Sequence, residues 1–171
     1  MKITDIKHEY FRWPRSVPLT NGTLTYTHCG LSVVTIRTDE GITGYGFSGP
    51  VLNKDPFLMV GELSDRLLGE DPLDHERLWK KLYVPKLVGR RGMSTRAISG
   101  LDIALWDIKA KAAGMPLYKL LGAARDRVPA YIAGGYYGPG KGIPELQKEM
   151  EGYVAQGVAG VKMKVGALPV E

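Results

Sequence analysis

The apolar positions along the chain change period twice, and each change predicts a different kind of structure. Over the first 48 residues they fall at strand spacing. Ile3, Ile6 and the Tyr10–Phe11 pair predict a first strand, and the polar stretch from Ser16 to Thr27, with Asn21-Gly22 inside it, predicts a loop containing a turn. The run LSVVTIRTDEGITGYGF sets β-branched and aromatic residues on both sides of Thr38-Asp39-Glu40-Gly41, which predicts a hairpin.

From Asp55 the spacing becomes helical. Phe57, Val60, Leu63, Leu67 and Leu68 predict one helix, and Asp71-Pro72 restarts a second through Leu78, Trp79 and Leu82. Ser94 is the expected cap of a third. Its apolar stripe is Ala97, Leu101, Ala104, Leu105, Ile108 and Ala112, and Gly114-Met115-Pro116 stops it before the short segment Leu117 to Gly122. After Arg127 the pattern changes again. Val128 to Ala133 predicts a buried strand, GGYYGPGKG a loop, Pro144 to Gln156 a helix and Gly160 to Val165 a second strand. Strand, helix, strand is the unit of a parallel sheet. The chain is therefore expected to divide into an α+β domain, residues 1–126, and the beginning of an α/β domain, residues 127–171.

Composition narrows the function classes. Of 171 residues, 44% are hydrophobic and 24% charged, a globular balance. The net charge of +5 comes from 23 basic and 18 acidic residues that are interleaved, so no basic run marks a nucleic-acid partner. Cys29 is the single cysteine, which excludes an internal disulfide and a cysteine-based zinc cluster. The N-terminal MKITDIKHEYFRWP lacks the unbroken apolar stretch of a signal peptide, and no apolar run is long enough to span a bilayer. A soluble, cytoplasmic protein with no membrane association is expected.

Three motifs carry candidate chemistry. Gly44-Tyr-Gly46-Phe-Ser-Gly49 matches a dinucleotide-binding pattern, but it follows a hairpin and runs into Pro50 where a helix would have to begin; glycines at a strand end and turn are the plainer reading. Gly135 to Lys141 resembles a phosphate-binding loop between strand and helix, with Gly142 where a hydroxyl would serve Mg²⁺. The third is GVAGVKMKVG. On a strand, Lys162 and Lys164 share one face while Val161, Met163 and Val165 share the other. On an exposed edge such lysines only prevent aggregation. In a parallel sheet covered on both sides they face a confined interior, where each disfavours the other's charge and a neutral amine becomes a general base. A base there can remove a proton α to a carboxylate if the resulting enediolate is stabilised.

Taken together, the hairpin ending TDEGITGYGF, the segment AISGLDIALWDIKAKAAGMPLYKLLG from Ala97 to Gly122, and the Lys-x-Lys strand resemble the enolase superfamily, within it the mandelate racemase and muconate lactonizing enzyme group. The resemblance implies an α+β capping domain with a three-stranded antiparallel sheet and helices, followed by the first part of a (β/α) TIM-like barrel. It implies Lys164 as the proton-abstracting base and Lys162 as its electrostatic partner and carboxylate contact. Superfamily sites pair such a base with Mg²⁺, so Mg²⁺ is the implied cofactor and a small-molecule carboxylate the implied partner. The stretches Ser16 to Thr27 and Ser48 to Lys54 would cover the barrel mouth, with Arg15, Tyr26 and His28 as candidate substrate contacts. A homo-oligomer is also expected.

The resemblance implies metal ligands on later barrel strands, expected beyond Glu171. A full barrel takes on the order of 200–250 residues, and 45 follow Asp126. The chain is thus expected to be the front of a longer enzyme and inactive alone. The expected activity of the complete protein is sugar-acid dehydration, with racemisation or cycloisomerisation as the alternative. Outside that class stand a nucleotide- or phosphate-binding domain built on Gly135 to Lys141, and an assembly module without catalysis.

Overall fold

The computed structural model describes residues 1–47, 55–83 and 92–167, which form two compact units. The first comprises Met1–Trp13 and Cys29–Ala123, the second Pro14–His28 and Ala124 onward. The expected turn from Ser48 to Lys54 lies outside the described residues.

A sheet of order β1-β2-β3 is built from Ile3–Thr20, Thr25–Thr38 and Thr43–Phe47. The hairpin predicted at Thr38 to Gly41 is present, with β2 and β3 antiparallel in the register Val33 opposite Phe47 through Arg37 opposite Thr43. The expected loop from Ser16 to Thr27 is a correction. Strand continues through most of it, and only residues 21–24 turn. Two features account for this: β-branched Val17, Thr20, Thr25 and Thr27 favour the pleat, and Asn21 supplies the whole turn. Its Oδ1 accepts from the amides of Thr23 and Leu24, both at 2.8 Å, while its Nδ2 donates to the Tyr26 hydroxyl at 3.0 Å.

Helices α1 (Asp55–Ser64), α2 (His75–Leu82), α3 (Met93–Ala112) and the short α4 (Leu117–Leu120) complete the first unit. Its core joins Ile3, Val34 and Ile36 of the sheet to Val60 and Leu63 of α1, Leu78 and Leu82 of α2, and Ala97, Ile98, Leu101, Ala104, Leu105 and Ile108 of α3. The predicted stripe of α3 is thus the buried one, apart from Ala112, which is exposed. Leu67 is buried, but its neighbour Leu68 points outward because α1 has already ended in turns. Ser94 is buried inside the first turn of α3, and Gly92 takes the cap position expected for it.

Two glycines explain how α3 lies so close to β3. A Cβ on Gly46 would sit 2.0 Å from the Gly100 carbonyl oxygen, and one on Gly44 would sit 2.2 Å from that of Ala104. The dinucleotide-like pattern is therefore a packing pattern: small residues on strand and helix let two backbones touch. Asp107 then accepts from the Tyr45 amide at 2.9 Å, and Lys111 bonds to both Asp107 and the Thr43 carbonyl. Between α2 and α3, buried His75 meets Asp102 at 2.9 Å through Nε2 and lies against Trp106, the ring centres 4.3 Å apart and the planes tilted by 45°.

The second unit contains β4 (Tyr131–Ala133), α5 (Ile143–Val154) and β5 (Gly160–Lys162). The two strands are parallel, with Tyr131, Ile132 and Ala133 opposite Gly160, Val161 and Lys162. The strand, helix, strand unit is as expected, but both strands are shorter. The expectation that the first of them is buried is also corrected: Val128 is 80% and Tyr131 60% exposed. Two strands with one helix against them leave much of their apolar surface uncovered.

Candidate active site

The site is built where β4 and β5 end and the chain enters loops. Gly134 donates its amide to the Lys162 carbonyl at 2.8 Å, and Lys164 donates its amide to the Gly135 carbonyl at 3.2 Å, so the parallel pairing extends past both named strands. Lys162 is exposed and stands opposite Ala133. Lys164 is half-buried, and its Nζ lies 4.9 Å from the centre of the Tyr136 ring, a cation–π distance. The lysines do not form one continuous strand face as expected. β5 ends at Lys162, and Val161, Met163 and Val165, expected to lie on a covered face, are exposed.

The loop between β4 and α5 is held by one carboxylate. Glu149, on α5, accepts from the Gly135 amide at 3.0 Å and from the Tyr153 hydroxyl at 2.7 Å, and it forms an ion pair with Lys141. Lys141 also donates to the Tyr136 carbonyl at 2.7 Å. Sequence reasoning missed Glu149 and Tyr153. The signal present was their i, i+4 spacing on the helix after a Gly-Gly pair. Gly134 has no room for a side chain, since a Cβ there would lie 2.5 Å from the Tyr153 ring, and Gly135 has φ +60 beside Met163. Lys141, the cation of the phosphate-loop reading, is thus neutralised by the protein's own carboxylate, and the Gly135 amide is already taken.

Desolvation pushes the Glu149 carboxyl up, but the hydrogen bonds from Lys141, Tyr153 and the Gly135 amide outweigh it and hold its pKa below the ordinary value of 4.5. A depressed carboxylate stabilises the fold above its unfolded pKa and loses that contribution as pH falls through the folded value. The loop is therefore expected to stay anchored at neutral pH and to loosen below about pH 4.5, the ordinary value. Amide exchange at Gly135, followed from pH 7 to 3 and corrected for intrinsic rates, measures this.

The end of the β1–β2 ribbon belongs to the same unit. Thr20 pairs with Tyr137 in an isolated antiparallel bridge, the Tyr137 amide donating to the Thr20 carbonyl at 2.9 Å. Val17, Pro18 and Leu19 line one side of a cavity of about 260 Å³ whose other walls include Tyr136, Tyr137, Lys141 and Tyr153. Among the remaining candidates, Arg15 has a buried Nε without a hydrogen-bond partner, Tyr26 is engaged by Asn21, and His28 Nδ1 lies 3.0 Å from the Thr27 hydroxyl. Among the hydrogen bonds, ion pairs and ring contacts of the described residues, none joins Arg15, Tyr26 or His28 to Lys162 or Lys164. Nor does any group of three or more His, Cys, Asp and Glu among them stand ready to hold a metal ion. No described helix is long and apolar enough to cross a membrane.

A three-stranded sheet packed on helices, followed by a parallel β-α-β unit ending in Lys-x-Lys, defines a capping domain joined to the start of a barrel. Residues 4–122 match the N-terminal domain of the mandelate racemase / muconate lactonizing enzyme family, and the chain belongs to that family. Arabinonate dehydratase of Saccharolobus solfataricus is 44% identical over 139 residues, 80% of this chain and 37% of that protein. D-galactarolactone cycloisomerase of Agrobacterium fabrum is 32% identical over 170 residues, 97% of this chain and 44% of that protein. The solved structure of L-talarate/galactarate dehydratase from Salmonella typhimurium LT2, liganded with Mg and L-lyxarohydroxamate, is similar at a TM-score of 0.86 and 35% identity, over 96% of this chain and 44% of that one. The chain thus spans 37–44% of the length of these relatives, which are enzymes of the lyase and isomerase classes.

Proposed function

We propose that this chain supplies the capping domain and the base-bearing edge of an enzyme that removes a proton α to a carboxylate, and that the complete protein dehydrates a sugar acid. One observation carries the reading: Lys162 and Lys164 lie where two parallel strands run out, beside a loop that the β1–β2 ribbon bridges within the same unit. Barrel enzymes work at that end of their strands. Lys164 takes the α-proton; the C–H electron pair passes into the carboxylate as an enediolate, the β-hydroxyl leaves as water on receiving a proton from a general acid, and the resulting enol takes up a proton at the β-carbon to become a 2-keto acid. Lys162 holds the substrate carboxylate. The ribbon end, with Arg15, Tyr26 and His28, bounds the substrate and excludes water. The described residues include no group of three or more His, Cys, Asp or Glu that fits Mg²⁺; carboxylates outside them would hold the ion, and the charge stabilisation it would supply is theirs to position.

Sugar-acid dehydratases among the relatives favour dehydration, and the cycloisomerase favours a second outcome of the same proton removal. A panel of aldonic and aldaric acids with Mg²⁺, followed by keto-acid formation, tests the reading. The barrel-complete protein is expected to dehydrate at least one, and chain 1–171 none. Turnover by chain 1–171 alone, or a complete protein that neither dehydrates any of these acids nor exchanges an α-proton in deuterated water, overturns it.

A further inference from the structure

The geometry points to Glu149 as a positioning residue for Lys164, acting through the loop between β4 and α5. This inference rests on the proposed role of Lys164. Lys164 is held at two places, its amide on the Gly135 carbonyl and its Nζ over the Tyr136 ring. Both holding groups are fixed by the same carboxylate. Glu149 Oε1 takes the Gly135 amide directly, and Oε2 pairs with Lys141, which binds the Tyr136 carbonyl. Tyr153 braces Oε1 from one turn along α5. The path from the helix to the lysine is thus two short branches, each made of consecutive bonds.

Such a bracket matters because a base must meet its proton within about 3 Å, and a displacement of about 1 Å from the productive position costs up to roughly 100-fold in rate. The loop would otherwise be free to wander. It carries Gly134, Gly135, Gly138, Gly140 and Gly142, the residue type that loses most conformational entropy on ordering. Glu149 removes that freedom at the residues that touch Lys164. A loop built only to connect β4 to α5 needs no ion pair across its mouth.

The first test is spectroscopic and uses chain 1–171 without turnover. Lys164 side-chain protons over the Tyr136 ring resonate upfield through its ring current, and the Lys164 amide is protected by Gly135. Glu149→Ala is expected to erase the upfield shift and speed Lys164 exchange by at least 10-fold, while exchange in α3, in the other unit, stays unchanged. Glu149→Gln keeps an oxygen for Gly135 and Tyr153 and is expected to preserve most of the protection. If Glu149→Ala proves insoluble, Lys141→Met, which removes one branch, and Tyr153→Phe, which removes the brace on the other, are expected to give partial losses. Unchanged Lys164 signals in these variants overturn the inference.

The second test is kinetic, in the barrel-complete enzyme. Glu149→Ala is expected to lower kcat by about 10- to 100-fold with KM within about 3-fold, and Glu149→Gln to recover most of it. If Lys164→Ala is silent, the proposed function fails. If Lys164→Ala is severe and Glu149→Ala is silent, only this inference fails.

Discussion

Lys164→Ala in the barrel-complete enzyme is expected to lower kcat by about 10²–10⁴-fold, the span that a positioned general base contributes. The loss should fall on proton removal itself. In deuterated water, label normally enters the α-carbon whenever the enediolate is reprotonated, so wash-in reports the base without requiring the later loss of hydroxide. Lys164→Ala is expected to suppress wash-in and product formation together, with KM changing little, because the amine acts on the C–H bond and not on the carboxylate. Lys162→Ala should behave differently: a lysine that holds the carboxylate contributes to ground-state binding, so KM rises along with the fall in kcat. Equal, KM-only effects for both substitutions would remove the lysines from the chemistry and leave them as solvated residues past a strand end. The exposure of Lys162 in this chain makes that a real contest.

The first unit was largely legible in the sequence because its elements obey local rules. The spacing of Ala97, Leu101, Ala104, Leu105 and Ile108 marks the buried stripe of α3, and Thr38 to Gly41 marks the hairpin. The ribbon end was misread for a local reason as well: Ser16 to Thr27 is polar, and polarity alone does not separate loop from a strand solvated on both faces. What decides it is Asn21, whose side chain closes the turn and allows pairing on either side. In the second unit, element type was legible from alternating strand and helix patterns, but burial was not. Val161, Met163 and Val165 read as an interior face, and interior faces exist only where further strands and helices cover them. The site was half legible. Lys-x-Lys is a sequence pattern, whereas the role of Glu149 depends on a loop folding back across α5 by 14 residues to Gly135, and no spacing rule encodes that return.

Gly46→Ala is expected to cost the first unit about 3 kcal/mol, near the top of the range for overpacking, and to lower its melting temperature by on the order of 10–20 °C. The added methyl carbon would sit 2.0 Å from the Gly100 oxygen and 2.8 Å from the Ala104 nitrogen. Both are backbone atoms of α3, so no rotamer change relieves the clash; helix and strand must separate. Separation loosens the contacts that cross that interface, from the Asp107 bond on the Tyr45 amide to the packing of Leu101 and Leu105 on the sheet. Gly61→Ala is the matched control. It lies in α1 with open space at its Cβ position, and alanine in a helix interior is favoured over glycine by roughly 0.5–1 kcal/mol, so this variant should melt at or above the parent temperature. Thermal denaturation of the three proteins by circular dichroism decides the matter. If Gly46→Ala melts with the parent, the Gly-x-Gly of β3 is not a packing device, and its likeness to a nucleotide-binding turn has to be considered again.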